Sequence, residues 1–259
     1  MSATLLRFED VVAGYGRGDI LRGFELDVNQ GEVTCLVGPN GAGKSTVLKT
    51  LSGLLKPRAG RIVFDGDDIA GLSPARVLAR GIVHVPQERS LFPLMTVWDN
   101  LLMGGHSIRD RALVRRRAAT VAERFPLVGD RRHDRAGELS GGQQKLVEIA
   151  RALMLEPTLI LLDEPTMGLE PKARHLIFEA IQALHDEGRT VLLVEQNARA
   201  ALAAADFGAV LDGGRVAIAG RGRQLLEDPR LGELYLGGAA AIAANGEHAV
   251  PDSPHSPHN

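Results

Sequence analysis

Nine consecutive residues carry the strongest chemistry in this sequence: "GPNGAGKST", Gly38, Pro39, Asn40, Gly41, Ala42, Gly43, Lys44, Ser45 and Thr46. They match the spacing G-x-x-x-x-G-K-[ST]. Consecutive backbone N–H groups of such a loop form a concavity that suits phosphate oxygens. A helix beginning at its end adds about half a positive charge. Gly41 and Gly43 let the main chain approach closely. Lys44 is placed to reach the β- and γ-phosphates of a nucleotide, and the Ser45 hydroxyl to hold Mg²⁺.

Two further stretches complete the chemistry. In "LILLDEP" (159–165) an apolar run delivers Asp163 and Glu164 to a strand end, the edge where ligands bind in open α/β sheets. Asp163 can hold Mg²⁺, directly or through water. Glu164 can orient or deprotonate an attacking water. In "LSGGQQ" (139–144), Ser140 can cap a helix over 141–155, and Gly141 and Gly142 leave backbone amides open at its start. This is either an ordinary cap or a second phosphate grip, used on a neighbour's nucleotide.

The elements that must position these residues follow from pattern. "EVTCLVG" (32–38) reads as a buried strand ahead of the loop, and "KSTVLKTLSGLL" as the helix after it. Strand patterns precede them in "TLLRFEDVVAGY" and "FELDVNQGE"; "GRIVFDGDDI" and "IVHVPQ" (82–87) follow, with a short helix in "SPARVLARG" between. From 88 to about 157 the chain changes to helix: "TVWDNLLMGG", "DRALVRRRAATVAERF" and "SGGQQKLVEIARALML". In "PKARHLIFEAIQALHDEG", Ala173, Leu176, Ile177, Ala180, Ile181 and Leu184 share one helix face, with Pro171 at the start and Gly188 beyond the end. "VLLVEQN" (191–197) is a buried strand running into Glu195, Gln196 and Asn197. A helix around 198–205 and a hairpin turning at Asp212–Gly214 close the pattern. Strands alternating with helices predict a mostly parallel, helix-covered sheet.

Composition narrows the class. Of 259 residues, 44% are hydrophobic, enough for a sizeable core, and 30 Lys+Arg against 32 Asp+Glu exclude a surface built for nucleic acid. The basic run 109–119 is expected to be a solvated helix face, or else to meet anionic lipid or nucleic acid. Cys35, the single cysteine, reads as an inert core thiol in a reducing compartment. "MSATLLRFED" lacks the pattern of a signal peptide, and no apolar run approaches the roughly 20 residues that span a bilayer. The Ala/Pro/Ser/His-rich stretch 238–259, with His248, His255 and His258, is expected to be a disordered tail.

The order Tyr15, "GPNGAGKST", Gln87, "LSGGQ", "LILLDEP", then a polar strand end at 195–197 resembles the ATP-binding cassette subunits of membrane transporters, over residues from about 4 to 238. The resemblance implies an α/β P-loop ATPase. Its core sheet is mixed and mainly parallel, with an N-terminal antiparallel β-subdomain and an inserted α-helical subdomain. One ATP-binding domain would span 1–237, with a core of 1–87 and 158–237 and a helical subdomain of about 88–157. It further implies ATP and Mg²⁺ as ligands and two cassettes pairing head to tail over two ATPs. Tyr15 would stack on adenine, an aromatic role. Gln87 would touch Mg²⁺ and the attacking water, and Ser140, Gly141, Gly142 and Gln143 would grip the partner's γ-phosphate. "MGLE" (167–170) departs from the family by ending in Glu170 rather than Asp.

Gln196 stands where most of the family has a histidine that contacts the γ-phosphate. Gln can donate an amide N–H but does not titrate near neutral pH; the alternative is a plain exposed strand end. "VEQNA", with "GRIVFD", "MTVWDNL" and "YLGG" (235–238), resembles the ATPases of branched-chain amino-acid importers and their amide and urea relatives. The partners implied are a second, different cassette chain that keeps the histidine, two membrane permease subunits and an extracytoplasmic solute-binding protein. No nucleic acid is expected. The place implied is the cytoplasmic face of the membrane, held peripherally. Phe92, Met95 and Trp98 would then dock on the permease, or pack inside the helical block. Three other readings stay open: an exporter ATPase for lipid or polysaccharide, a soluble cassette acting on ribosomes or DNA, and a nucleotide switch that hardly hydrolyses.

Overall fold

The computed structural model describes residues 3–232 and 234. "YLGG", the stretch 238–259 and its three histidines lie outside them. Two long N-terminal strands, β1 (Thr4–Ala13) and β2 (Leu21–Asn29), pair antiparallel, and β3 (Val33–Val37) leads into α1 (Lys44–Leu51). Strands β4 (Ala59–Phe64) and β5 (Asp67–Asp68), helix α2 (Pro74–Ala79) and strand β6 (Ile82–Val85) follow. Four helices then come in succession: α3 (Val97–Met103), α4 (Arg111–Arg124), α5 (Pro126–Asp130) and α6 (Gly141–Leu153). The chain returns to the sheet with β7 (Leu159–Asp163), α7 (Pro171–Asp186), β8 (Thr190–Glu195) and α8 (Ala198–Ala203), and closes with β9 (Phe207–Asp212), β10 (Arg215–Arg221) and α9 (Gly222–Leu226).

The strands form two sheets. One is four-stranded and antiparallel, in the order β2-β1-β4-β5. The other runs β10-β9-β3-β8-β7-β6, parallel except for the edge pair β9–β10. This is the mixed, mainly parallel core sheet with an antiparallel β-layer and a helical insertion that the sequence implied.

The continuous apolar runs of β3, β7 and β8 follow from burial on both faces, because successive side chains point to opposite sides. Val33, Cys35, Val37, Ile160, Leu162, Val191 and Leu193 pack against the helical insertion and α7. Leu36, Leu159, Leu161, Leu192 and Val194 pack on the other side, against α1 and the antiparallel sheet. There Phe8 and Phe24 meet edge to face, 5.0 Å apart. Fully burying one such side chain contributes about 1.5–3 kcal/mol. Cys35 is buried at the centre of β3. The predicted face of α7 is the buried one at Ile177, Ala180, Ile181 and Leu184. No helix among the described residues is long and apolar enough to cross a membrane.

The register sets up the site. Val37 lies opposite Glu195, and Asp163 lies opposite Val194. The loop after β3 and the polar ends of β7 and β8 therefore emerge side by side on one edge of the parallel sheet.

Candidate active site

The loop 38–46 folds as its glycines demand. Gly41 and Gly43 have positive φ, 82° and 112°, a region that glycine enters without steric cost. At Gly38 a side chain would press to 2.3 Å from the carbonyl of Leu211. Gly43 caps α1 with no side chain of its own, so the first amides of the helix stay open to the loop. Lys44 is buried, and its Nζ donates to the carbonyls of Gly38 (2.9 Å) and Pro39 (3.2 Å). The same ammonium lies 3.5 Å from Glu164 Oε1.

Asp163 and Glu164 sit at the end of β7, both buried. Burial, and then the charge of Glu164, pushes the Asp163 carboxyl up to about 6, against the pull of Lys49, Ser45 and Lys44. Asp163 Oδ1 is buried without a hydrogen-bond partner, and the nearby Ser45 hydroxyl favours the ionised form of the same carboxylate. An orphaned carboxylate oxygen beside a hydroxyl is a hard, all-oxygen donor set. It fits Mg²⁺, which takes one or two protein oxygens and completes its shell with water and phosphate. No cluster of three or more His, Cys, Asp or Glu is arranged for a metal among the described residues. Glu164 has φ +43°, left-handed for a non-glycine residue, and its N–H donates to Val194 O at 2.8 Å. Such strain costs about 1–3 kcal/mol and persists only where the surroundings enforce it.

The end of β8 departs from a simple reading of "VLLVEQN". Glu195 is no exposed strand end: it is 2% exposed and part of the strand. Its Oε1 accepts from Thr166 N (3.0 Å) and Thr166 Oγ1 (2.7 Å), and its Oε2 from Gln196 N (3.2 Å). Burial raises its pKa, and the hydrogen bonds to Thr166 and Gln196 oppose that. Gln196 is exposed, and Asn197 caps α8. Gln196 and Thr166 border one shallow groove with the loop 166–169.

Gln87 joins two clefts. With Ser45, Lys49 and Asp163 it lines one of about 560 Å³. With Ser140, Gly141, Gly142, Glu164 and Glu170 it lines another of about 450 Å³. Its Nε2 lies 2.9 Å from Met167 Sδ. Ser140, Gly141, Gly142 and Gln143 open α6 with a complete capping box: Ser140 N donates to Gln143 Oε1 (3.0 Å), and Gln143 N to Ser140 Oγ (3.4 Å). Glu170 is exposed on the opposite lip of that cleft. Tyr15 is 49% exposed, and Lys49 Nζ of α1 lies 5.9 Å from its ring centre.

The structure thus brings together Lys44, Ser45, Asp163 and Glu164, with Gln87 beside them. Tyr15 stands apart on exposed surface, and the turn 140–143 meets Glu164 and Gln87 only across the second cleft, with Ser140 exposed and Gly142 buried. Sequence reasoning missed Glu195, Thr166 and Met167. It also left the choice open for "LFPLM": Trp98 packs against the core and Met95 is half-buried, whereas Phe92 and Leu94 are exposed, Leu94 at 82%.

Comparison with known proteins places this geometry. The sequence pattern of the family described as ABC transporter matches residues 21–167. The chain is 42% identical over 234 residues to the high-affinity branched-chain amino acid transport ATP-binding protein BraG of Pseudomonas aeruginosa, covering 90% of this chain and 100% of that one. It is 36% identical over 236 residues to the lipopolysaccharide export system ATP-binding protein LptB of Escherichia coli K12, covering 90% and 97%. The crystal structure of the ADP conformation of MJ1267, an ATP-binding cassette of an ABC transporter, superposes with a TM-score of 0.81 at 34% identity, over 91% of this chain and all of that one.

Proposed function

The chain belongs to the ABC transporter family, and we propose that it energises an importer of branched-chain amino acids or related amides and urea. It is an ATP-binding cassette and an ATPase. The ATPase reading rests on one observation above the others: buried Lys44, Asp163 and Glu164 meet half-buried Ser45 in one row at the edge of the sheet. The cargo class rests on the full-length likeness to BraG.

In this reading the loop amides and Lys44 hold the β- and γ-phosphates of ATP, and Tyr15 stacks on the adenine. Ser45 and Asp163 hold Mg²⁺, with Gln87 beside it; the ion, when bound, would neutralise charge on the phosphates. Glu164 orients and deprotonates the attacking water. Gln196 donates its amide to the γ-phosphate. The turn Ser140, Gly141, Gly142 and Gln143 grips ATP held by a second cassette, a different chain, and Glu170 faces that chain. Residues 1–237 form the cassette, with a core of 1–87 and 158–237 and a helical subdomain of about 88–157. ATP-driven pairing of the two cassettes moves two permease subunits, and a solute-binding protein supplies cargo from outside. The chain works peripherally on the cytoplasmic face of the membrane, with Phe92 and Leu94 as apolar contacts.

Affinity purification of the full chain from detergent-solubilised membranes of its source tests this. A second, non-identical cassette with two permease subunits and a solute-binding protein is the expected company. Co-purification with lipid-export components would favour the second reading, for which the 36% likeness to LptB speaks. Ribosomes, DNA or copies of this chain alone would sink the importer reading and leave the exporter and soluble-cassette readings to be separated next.

A further inference from the structure

Helix α6 carries three charged side chains one turn apart, Lys145, Glu148 and Arg151, and none belongs to the turn at its start. Lys145 and Glu148 are only 7% and 2% exposed, and buried charges persist where they are paired and hydrogen-bonded. All three reach the segment that leaves β6. Lys145 Nζ donates to the carbonyl of Pro86 at 2.9 Å and lies 3.4 Å from that of Gln87. It also pairs with Glu148 at 2.6 Å. Glu148 Oε1 accepts from Ser90 N at 2.5 Å. The Arg151 guanidinium donates to Ser90 O (2.9 Å) and to Ser90 Oγ (2.5 Å). Ser90 is thus held at its amide, its carbonyl and its hydroxyl, and the backbone on either side of the Gln87 side chain is tied to one helix.

We propose that Lys145, Glu148 and Arg151 form a clamp that fixes residues 86–90 to α6 and thereby positions Gln87 at the ATP site. These are positioning residues: Lys145 and Glu148 border the cleft that Gln87 and Glu164 also line, but the polar contacts of all three go to residues 86–90 and to one another. Strand β6 belongs to the core sheet, while α6 belongs to the helical insertion and begins at Ser140. The clamp makes Gln87 travel with α6 rather than with β6. The inference rests on the reading of Gln87 as an ATP-site residue.

The test is steady-state ATP hydrolysis by the full chain in its assembled complex, with KM for ATP and melting temperature measured alongside. The variants are Glu148→Ala, Glu148→Gln and the pair Lys145→Met/Glu148→Leu, which removes both buried charges together and leaves neither unpaired. Each is repeated with Gln87→Ala. We expect Glu148→Ala and the pair to lower kcat by about 10- to 100-fold, the cost of a small misplacement, with KM within about threefold. Glu148→Gln, which keeps an acceptor for the Ser90 amide, should recover part of that loss. With Gln87→Ala already present, the clamp changes should add no further loss, because groups acting through one another are not additive. Normal kcat in the folded pair variant would overturn the clamp, as would full multiplication of its loss with that of Gln87→Ala. Normal turnover by Gln87→Ala alone would instead refute the role of Gln87 itself, and the two failures are told apart by that single variant.

Discussion

Two helix starts in this molecule face phosphate chemistry, and they are built differently. At α1 the N-terminal amides are capped by a glycine with no side chain, the adjacent Lys44 is buried, and two carboxylates stand across from it. At α6 a capping box ties the amides of Ser140 and Gln143; Ser140 is exposed, Gly141 and Gln143 are half-buried and Gly142 is buried. The first start is a finished site within one chain. The second shares a cleft with Glu164 and Gln87 but has no buried lysine of its own opposite an acid, and in the proposed reading it serves a second cassette. The sequence "LSGGQ" and the sequence "GPNGAGKST" look alike as glycine-rich helix starts; the buried Lys44 facing Glu164 separates them.

The sharpest way to press on this difference is Glu164→Gln, which should slow hydrolysis by about 10²–10⁴-fold, the worth of a positioned general base. Nucleotide binding should persist, because Gln still accepts from Lys44. Near-normal turnover would remove Glu164 from the role. Next comes Lys44→Ala, with turnover down about 10²–10³-fold and ATP affinity of the isolated chain lost with it. A binding isotherm on the monomer decides this, and retained affinity would place the grip elsewhere. Ser140→Ala should behave oppositely. It removes a helix cap worth about 1 kcal/mol and lowers turnover of the paired assembly by about tenfold, yet leaves ATP binding to the isolated chain unchanged. A loss of monomer affinity would mean that both starts serve one nucleotide.

A further effect, on stability rather than turnover, lies outside both helix starts. His84 lines the cleft beside Asp163, and burial, with Lys49 second, pushes its pKa from 6.5 to about 4. Above pH 6.5 neither the folded nor the unfolded chain protonates it, and its contribution is whole. Between 6.5 and 4 the unfolded chain takes the proton first, so stability falls with pH, by up to about 3 kcal/mol. Denaturant titrations across that window should show the slope in the native chain and a flatter one in His84→Gln.

What was legible in the sequence was local. The loop 38–46 and the pair Asp163–Glu164 are contiguous motifs between strong strand and helix patterns, so spacing alone sets their geometry. Glu195 was illegible because its partner, Thr166, is 29 residues away, and only the register of β7 beside β8 brings them together. Lys145, Glu148 and Arg151 look like the solvated charges of any amphipathic helix. Which side of α6 is buried depends on packing against the segment after β6, which no single-helix pattern contains. Residue type likewise could not separate Phe92, exposed, from Trp98, packed on the core.

Cys35 has a practical consequence. It is the only thiol in the chain, it lies at 0% exposure in β3, and burial, with Glu195 second, holds its pKa well above the ordinary thiol range. The thiolate is the form that attacks thiol reagents, so the buried, protonated Cys35 offers them almost nothing. Ser140→Cys, introduced into an otherwise native chain, becomes a single addressable position. A spin label or fluorophore there would report, in real time and without background, when the exposed helix start meets another cassette.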